Sequence, residues 1–335
     1  MVRSPSPRLA PLAPLLHEFS QGRVVVVGDF VADEYVYGET ERISREAPVL
    51  IVRFERSELK PGGAGNAAQN LAALGVDVRA VGLVGADALG VRLVAVLRAG
   101  KVDVAGLQRV RGRATEAKTR ILAGGRSTRR QQMLRVDRTP DPVPAAVERR
   151  LIADLRAAAR GATAILASDY GSGVLSPRVI EALRALRRRG IPVCVDSRYN
   201  LKGFGGLTML KPNETELEAA TGIRVSTPPG LARAARALLR RTGCQGLLVT
   251  RGRYGMSLFE RGRPPVHLDA HGDKEAVDVT GAGDTVAATY AAAIASGADA
   301  VGAMGLANVA AALVVLKAGT ATVAREEILR ELVGE

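Results

Sequence analysis

The segment Asp278-Val279-Thr280-Gly281-Ala282-Gly283-Asp284 combines two carboxylates with a glycine-rich turn. Residues 285–295 then form an alanine-rich run without proline, which predicts a buried helix closed by Gly297. The turn leaves unpaired backbone N–H groups at the positive end of a helix dipole, which is typical of an anion site. Asp284 has two interpretations at this point. It is either a helix N-cap or a general base aimed at a hydroxyl that attacks a bound phosphoryl group.

The elements that must position these groups are short apolar runs that end in polar residues. The run at residues 24–27 is β-branched at every position, which is typical of a strand buried on both faces. Ligands of parallel α/β sheets bind beyond the carboxyl ends of the strands, so we expect an active-site edge there. Asp29, Asp33, Asp169, Asp196, the segment Lys211–Glu216 and Arg251-Gly252 follow successive predicted strands. Capping of the next loop or helix is the simpler reading for Asp33 and Asp196, and an open alternative for Asp169.

A second glycine-rich segment, at residues 61–67, precedes an apolar helix predicted over residues 67–74. Gly62 and Gly63 allow the backbone to approach a ligand closely. Asn66 offers both a donor and an acceptor to a sugar hydroxyl. The alternative is a helix start that needs tight packing.

Alternating apolar and polar residues at about 35–60 and 112–137 interrupt the strand–helix rhythm and predict a small β-sheet lid. A lid excludes water, which phosphoryl transfer requires. Farther along, Asn213 and Glu216 have the spacing of a helix-capping pair and also of a shell for hydrated Mg²⁺.

Composition limits the function classes. The chain has 335 residues, a net charge of +13, two cysteines, three histidines and no tryptophan. The arginines are scattered over predicted helices, so we expect an anionic substrate rather than nucleic acid. Residues 1–14 contain four prolines and predict a disordered tail. No signal peptide or membrane-spanning window is apparent, and buried thiols fit a reducing, cytoplasmic setting.

Residues 278–284 resemble the C-terminal signature of the ribokinase-like (PfkB) sugar kinases, and residues 61–67 resemble their N-terminal signature. The similarity runs from about Gly22 to the C-terminus. It implies a ribokinase-like doubly wound α/β sheet with three αβα layers, a β lid, and one kinase domain over residues 15–335. It also implies ATP and Mg²⁺ as cofactors, with lids that pair between subunits of a homodimer.

The same resemblance implies a role for each matching residue. Asp284 becomes the general base, and the N–H groups of Ala282, Gly283 and Asp284, after Gly281, hold the transferred phosphoryl group. Asp29 contacts sugar hydroxyls, whereas Asp278 and Thr280 shape a site for a monovalent cation such as K⁺. The nucleotide and its metal ion are met by residues later in the chain: Asn213, Glu216, Thr250, Gly252 and Asn308.

Two lid segments are similar to heptose-7-phosphate kinases, namely residues 42–48 and residues 131–137, which include Gln132. Arg45, Arg120 and Arg135 are candidates to clamp a sugar phosphate, with edge protection of the sheet as the alternative. This similarity implies D-glycero-β-D-manno-heptose 7-phosphate as the acceptor, phosphorylated at its anomeric hydroxyl.

The heptose-kinase pattern is not complete. It has lysine at the positions of Ser172 and Arg198, and residues 124–128 look like a hairpin-loop insertion. Other acceptors therefore stay open: ribose, a fructose phosphate or a nucleoside. From another class, the alternative is a catalytically silent sugar-binding regulator that uses its basic surface on nucleic acid. We expect no fused nucleotidylyltransferase after this kinase domain.

Overall fold

The computed structural model describes residues 10–125, 130–272 and 274–334. The helices of the described residues are α1 (Ala13–His17), α2 (Ala64–Ala73), α3 (Ala88–Ala99), α4 (Ala145–Ala158), α5 (Pro177–Arg188), α6 (Glu214–Thr221), α7 (Pro228–Thr242), α8 (Ala282–Ala295), α9 (Ala300–Val314) and α10 (Arg325–Val333). The strands are β1 (Arg23–Ile43), β2 (Leu50–Gly63), β3 (Asp77–Gly85), β4 (Asp103–Val110), β5 (Ala117–Gly124), β6 (Gln131–Arg138), β7 (Ala164–Asp169), β8 (Val193–Ser197), β9 (Met209–Leu210), β10 (Gly246–Thr250), β11 (Met256–Glu260) and β12 (Val266–Leu268).

Nine strands form the main sheet in the order β12-β11-β10-β9-β8-β7-β1-β3-β4. The strands from β10 to β4 are parallel, and β11 and β12 extend the sheet antiparallel at one edge. All the carboxyl ends of the parallel strands therefore meet along one edge. This layout agrees with the active-site edge that the sequence predicts.

Helices cover both faces of the main sheet, which gives the three predicted layers. Val24 and Val26 face one apolar core with α2, α3, α8, α9 and α10. Val25 and Val27 face a second core with α4, α5, α6 and α7. Successive side chains of a strand point to opposite faces, so the β-branched run at 24–27 supplies both cores.

The lid is the second half of β1 together with β2, β5 and β6, in the order β2-β1-β5-β6. The predicted strand at 24–27 was too short, because β1 continues without a break to Ile43. Polar residues such as Asp29 and Asp33 suggested a strand end, but they lie inside the extended chain. One strand of the lid is thus the continuation of a core strand.

The start of the described chain is helical. Ala10–Leu12 form a 3₁₀-helix and α1 follows it, so residues 10–14 of the predicted disordered tail are ordered, and residues 1–9 lie outside the described residues. Leu12 and Leu15 pack against the first core. Residues 126–128 of the predicted loop insertion also lie outside the described ranges. Within those ranges no helix has both the length and the apolar character needed to span a bilayer.

Candidate active site

Helix α8 begins three residues earlier than predicted, at Ala282. Its N-cap is Gly281, which has a φ of 79°, a left-handed conformation that favours glycine. Asp284 is therefore the third helical residue and not the N-cap, so the capping interpretation of Asp284 is wrong. Its carboxylate lies in the first turn, where the helix dipole favours negative charge.

The Asp284 carboxylate is buried and accepts one hydrogen bond on each oxygen. Asn66 Nδ2 donates to Oδ2 at 2.8 Å, and the Tyr170 hydroxyl donates to Oδ1 at 2.8 Å. Asn66 opens α2 and Tyr170 follows β7, so three segments meet at one carboxylate. Such convergence fixes the orientation of a candidate base.

The electrostatics of the site push this carboxyl toward neutrality. Burial, followed by the negative charge of Asp196, raises the pKa of Asp284 to about 7, against the hydrogen bonds from Asn66 and Tyr170. Burial also raises the pKa of Asp29 to about 6, against backbone hydrogen bonds from Ser172 and Tyr170. A carboxyl that titrates near neutral pH is suited to general acid–base chemistry.

The anion site at the start of α8 differs in one donor from the prediction. The Ala282 amide donates to the Val279 carbonyl at 3.2 Å and closes a turn. Among the described residues, no acceptor is found for the amides of Gly283 and Asp284. These two N–H groups are therefore the candidate anion donors.

Lys211 adds a positive charge at the same place. A Cβ atom on Gly283 would lie 3.5 Å from Lys211 Nζ, so the ammonium group lies beside the helix start. Lys211 is buried and forms an ion pair with Asp196 at 3.1 Å. Burial lowers the pKa of Lys211, but Asp196 and Glu216 outweigh burial and raise it, which keeps the ammonium charged.

Asn66 is held by a buried amide network. Asn70 Nδ2 donates to Asn66 O at 3.0 Å and to Asn66 Oδ1 at 3.2 Å, and the Thr285 hydroxyl donates to Asn70 Oδ1 at 3.1 Å. Gly281 completes the arrangement, because a Cβ atom there would lie 2.6 Å from Asn66 Nδ2. The two glycine-rich segments therefore fit together around Asn66.

The predicted acids of β1 occupy two neighbouring positions with different partners. Asp29 Oδ2 accepts the amides of Tyr170 at 2.7 Å and Ser172 at 3.2 Å, whereas its buried Oδ1 has no partner among the described residues. Asp33 lies inside β1 and pairs with Arg120 at 2.6 Å. The interpretation of Asp33 as a loop cap is therefore wrong. Gly62 makes room for Asp33, since a Cβ atom there would lie 2.2 Å from Asp33 Oδ2. Gly63, with a φ of 56°, is the N-cap of α2.

Neither Asp169 nor Asp196 caps a helix. Ser176 caps α5, and Asp169 instead accepts the Ser197 hydroxyl at 2.7 Å and the Gly171 amide at 3.1 Å. Asp196 pairs with Lys211, so the capping interpretation preferred for Asp196 is wrong. Both acids line the main cleft.

A cleft of about 1010 Å³ opens at the carboxyl edge of the sheet. Many of the predicted site residues line it: Asp169, Asn213, Glu216, Thr250, Gly252, Thr280, Gly281, Ala282, Gly283, Asp284 and Asn308. The cleft extends from the Asp284 carboxylate past β10 to α9. A volume of this size is at the upper end of ordinary ligand pockets.

Asn213 and Glu216 form a capping box at the start of α6. Asn213 Oδ1 accepts the Glu216 amide at 2.8 Å, and Glu216 Oε2 accepts the Asn213 amide at 2.8 Å. The structure therefore confirms that these two residues cap a helix. The second carboxylate oxygen of Glu216, Oε1, takes no part in the capping box, and Glu216 also lines the cleft. No group of three or more His, Cys, Asp or Glu side chains in the described chain could hold a metal ion. One amide and one carboxylate oxygen are a donor set that fits a Mg²⁺ ion that keeps most of its waters.

Asp278 organises the loop before α8. Its carboxylate accepts the amides of Thr280 at 2.9 Å and Gly319 at 2.8 Å. Burial pushes the pKa of Asp278 upward, but these hydrogen bonds outweigh burial and lower it.

At the far end of the cleft, Asn308 Nδ2 donates to the Asp269 carbonyl at 2.7 Å.

The structure does not gather the three lid arginines into a clamp. Arg120 is largely buried beside Asp33, and Arg135 is exposed and pairs with Asp137 at 2.8 Å. Arg120 and Arg135 are direct partners across the β5–β6 ladder, so both side chains leave the same face. Arg45 is exposed in the β1–β2 connection, and Gln132 is exposed on β6.

Two residues of the site were given no role from the sequence: Tyr170 and Lys211. Tyr170 comes directly after Asp169, and Lys211 opens the segment Lys211–Glu216 that was expected at the active-site edge, so the rule that placed Asp169 and Asn213 there also points to them. Tyr170 lies between two cations: Lys118 Nζ is 5.0 Å and Arg198 Cζ is 5.2 Å from its ring centroid. This arrangement is a double cation–π contact.

A nine-stranded α/β sheet, a β lid and a buried carboxylate at a helix start form the arrangement that the sequence resemblance to carbohydrate kinases implies. The chain belongs to the pfkB family of carbohydrate kinases, whose model matches residues 21–327. It is 42% identical over 308 residues to the bifunctional protein HldE of Pelobacter propionicus, and the match covers 91% of this chain and 62% of that protein. The chain therefore spans about three fifths of the length of this relative.

Two solved structures share the fold. The ribokinase of Arabidopsis thaliana, complexed with ribose and ATP, gives a TM-score of 0.73 at 23% identity, over 93% of this chain and 98% of that one. Phosphofructokinase-2 of Escherichia coli, in complex with potassium, gives a TM-score of 0.75 at 19% identity, with the same two coverages. These similarities establish the predicted ribokinase-like architecture.

Proposed function

We propose that this chain transfers the γ-phosphoryl group of ATP to the anomeric hydroxyl of a heptose 7-phosphate and forms the 1,7-bisphosphate. The observation that carries the reaction type is the Asp284 carboxylate, which lies beside two amide donors at the start of α8 and faces the cleft. Two findings support the acceptor: the lid segments similar to heptose-7-phosphate kinases, and the 42% identity over 308 residues to the bifunctional protein HldE of Pelobacter propionicus.

In the proposed reaction, Asp284 takes the proton of the acceptor hydroxyl as its oxygen attacks the γ-phosphorus. The new O–P bond forms as the bond from the γ-phosphorus to the bridging oxygen breaks, and ADP leaves. The amides of Gly283 and Asp284 and the Lys211 ammonium stabilise the negative charge on the transferred group, which supplies most of the catalysis in such reactions. Asp29, through its buried Oδ1, and Asn66 and Gly63 orient the sugar.

ATP occupies the remainder of the cleft in this proposal, with Thr250, Gly252 and Asn308 toward the base. Mg²⁺ near Asn213 and Glu216 would neutralise the nucleotide phosphates when bound. A monovalent cation such as K⁺ would lie by Asp278 and Thr280. Of the three candidate arginines, Arg120 is the best placed to contact the acceptor, because it is partly buried beside Asp33.

A homodimer through the lid is part of the proposal. Seven of the fourteen large exposed apolar side chains in the described residues belong to the lid region: Ile43, Val49, Leu50, Phe54, Met133, Leu134 and Val136. Exposed apolar side chains concentrated in one part of a fold are typical of an interaction surface. Pairing of two lids would cover it.

The test of the function is ADP release from Mg²⁺-ATP with heptose 7-phosphate, fructose 6-phosphate, ribose, fructose and adenosine as acceptors. We expect turnover confined to the heptose phosphate, with a new anomeric phosphate signal in the ³¹P NMR spectrum of the product. The Asp284→Asn enzyme is the blank. Preferred turnover of another acceptor would remove the heptose assignment and leave the catalytic roles in place.

The metal assignment has its own test, Glu216→Gln. Glutamine can still accept the Asn213 amide, so the capping box is kept, whereas the carboxylate charge is lost. We expect the Mg²⁺ concentration needed for half-maximal rate to rise by about tenfold, the lower end of the loss typical of altered metal ligand shells, with an unchanged melting temperature. Glu327→Gln is the matched control, because Glu327 accepts the Ala324 amide in the same way at the start of α10. An unchanged Mg²⁺ requirement would reject the role of Glu216.

A further inference from the structure

Both oxygens of the Asp284 carboxylate already accept hydrogen bonds, and this bears on how an acceptor could reach it. A general base must have an oxygen within hydrogen-bonding distance of the hydroxyl that it deprotonates. Asn66, the donor to Oδ2, is buried and tied to Asn70. Tyr170, the donor to Oδ1, is only half-buried and lines the cleft. Of the two donors to Asp284, Tyr170 is therefore the one that lies on the side of the cleft.

We propose that the Tyr170 hydroxyl occupies the position of the acceptor hydroxyl on Asp284, so that the base is shielded from water until a sugar displaces it. The proposal rests on the proposed kinase function and assigns Tyr170 as a positioning residue that protects ATP from hydrolysis. Water can replace a sugar as nucleophile wherever a base and a bound nucleotide are both accessible. A protein donor on the base prevents this.

The Tyr170 side chain acts as a donor and not as a second base. Burial, followed by the negative charge of Asp284, raises the pKa of Tyr170 well above its usual value. The phenol therefore keeps its proton across the working pH range. Its hydrogen bond in turn opposes the effect of burial on the pKa of Asp284.

The surroundings of the Tyr170 ring explain how an acceptor could release it. Lys118 belongs to lid strand β5 and Arg198 follows core strand β8, and each places its charge about 5 Å from the ring centroid. A cation–π contact is weak beside the pairing of the same cations with a phosphate. An acceptor that carries a phosphate would draw Lys118 and Arg198 away from the ring and free Tyr170 to move. Displacement is thereby coupled to the anionic end of the substrate.

The test is ADP release from Mg²⁺-ATP without any sugar, compared between the wild-type and Tyr170→Phe enzymes. We expect the variant to release ADP about tenfold faster, a modest part of the rate enhancement that a general base gives. Adding Asp284→Asn to Tyr170→Phe should return the rate to the wild-type level or below. Tyr199→Phe is the matched control, since Tyr199 is 76% exposed and does not line the cleft, and its ADP release should not change.

The outcomes separate this inference from the proposed function. Asp284-dependent ATP hydrolysis by Tyr170→Phe supports the shielding role even if the wild-type enzyme uses a different acceptor. A folded Tyr170→Phe enzyme with reduced kcat and no added ATP hydrolysis would overturn it, because Tyr170 would then only orient Asp284. If no form of the enzyme consumes ATP with or without acceptors, both proposals fail. Tyr170→Leu gives the same comparison if the phenylalanine variant does not fold.

Discussion

Asp284 occupies the third position of α8, where its carboxylate meets the helix dipole, two donors and a neighbouring acid. Burial and Asp196 act on it more strongly than the two hydrogen bonds, which is why the pKa rises to about 7. A base with this pKa is half ionised at neutral pH. In the proposed reaction, the acceptor hydroxyl would then meet a carboxylate that is basic enough to accept its proton.

The pH dependence of the rate follows from this pKa. Asp284 must be unprotonated to act as the proposed base, so kcat/KM for the acceptor should fall as pH drops through about 7 and level off above it.

The Asp284→Asn enzyme should lose roughly a hundredfold to ten-thousandfold in kcat, while it should still bind the nucleotide when binding is measured by calorimetry. An acid limb far below pH 6, or a fully active asparagine variant, would contradict the role of Asp284 as base.

Sequence patterns predicted one neighbour of Asp284, but not the roles of the others. Asn66 was expected at the site because its glycine-rich segment carries a family signature, and the structure brings it to 2.8 Å from Asp284. Tyr170 and Lys211 lie at predicted strand ends, which indicates the active-site edge, but the sequence assigns neither of them a role. Their roles depend on contacts with Asp284 and Asp196, which belong to other segments. Such contacts depend on tertiary geometry and cannot be seen in the local sequence.

At the scale of the element, α8 is flanked by two glycines with left-handed backbones. Gly281 has a φ of 79° and a Cβ atom there would lie 2.6 Å from Asn66 Nδ2, whereas Gly297 has a φ of 87° and open space around it. Alanine at either position would lower the stability by about 1–2 kcal/mol, because a residue with a Cβ atom is strained in the left-handed conformation. Only at Gly281 would it also displace a side chain of the site.

We therefore expect Gly281→Ala and Gly297→Ala to lower the free energy of unfolding, both by at least the strain of the left-handed backbone. Gly281→Ala should in addition reduce kcat by more than about tenfold, because Asn66 must move away from Asp284. Chemical denaturation and steady-state kinetics of the two variants separate the effects. Equal kcat values for the two variants would show that the contact with Asn66 has no part in catalysis.

Strand β1 shows where sequence reasoning fails at this scale. Its first residues were predicted because consecutive valines are typical of a doubly buried strand. Beyond Val27 the pattern changes, since Asp29 and Asp33 are buried acids inside a strand, and no local preference favours them there. Two backbone amides bond one oxygen of Asp29, and Arg120 pairs with Asp33. These partners come from distant segments.

At the scale of the whole molecule, the apolar lid residues should bring two copies together. Fully burying a leucine contributes about 1.5–3 kcal/mol. Leu134→Lys should therefore raise the dimer dissociation constant by roughly tenfold to a hundredfold, measured by sedimentation velocity over a concentration series. Val333→Lys is the control, because Val333 is similarly exposed but lies at the end of α10. A wild-type enzyme that stays monomeric, or an intact Leu134→Lys dimer, would reject the lid interface.

The continuity of β1 gives the lid the mechanics of a cantilever beam. Residues Arg23–Asp29 form its clamped root between β3 and β7, and past Glu39 β2 is its one paired strand among the described residues. A clamped beam deflects most at its free tip and least near its root. The register shifts at Tyr37/Gly38 and Thr40/Arg42 interrupt the β1–β2 ladder, and they lie beyond Asp33. Any bending of the lid would therefore be concentrated beyond Asp33 and leave the acids near the root aligned.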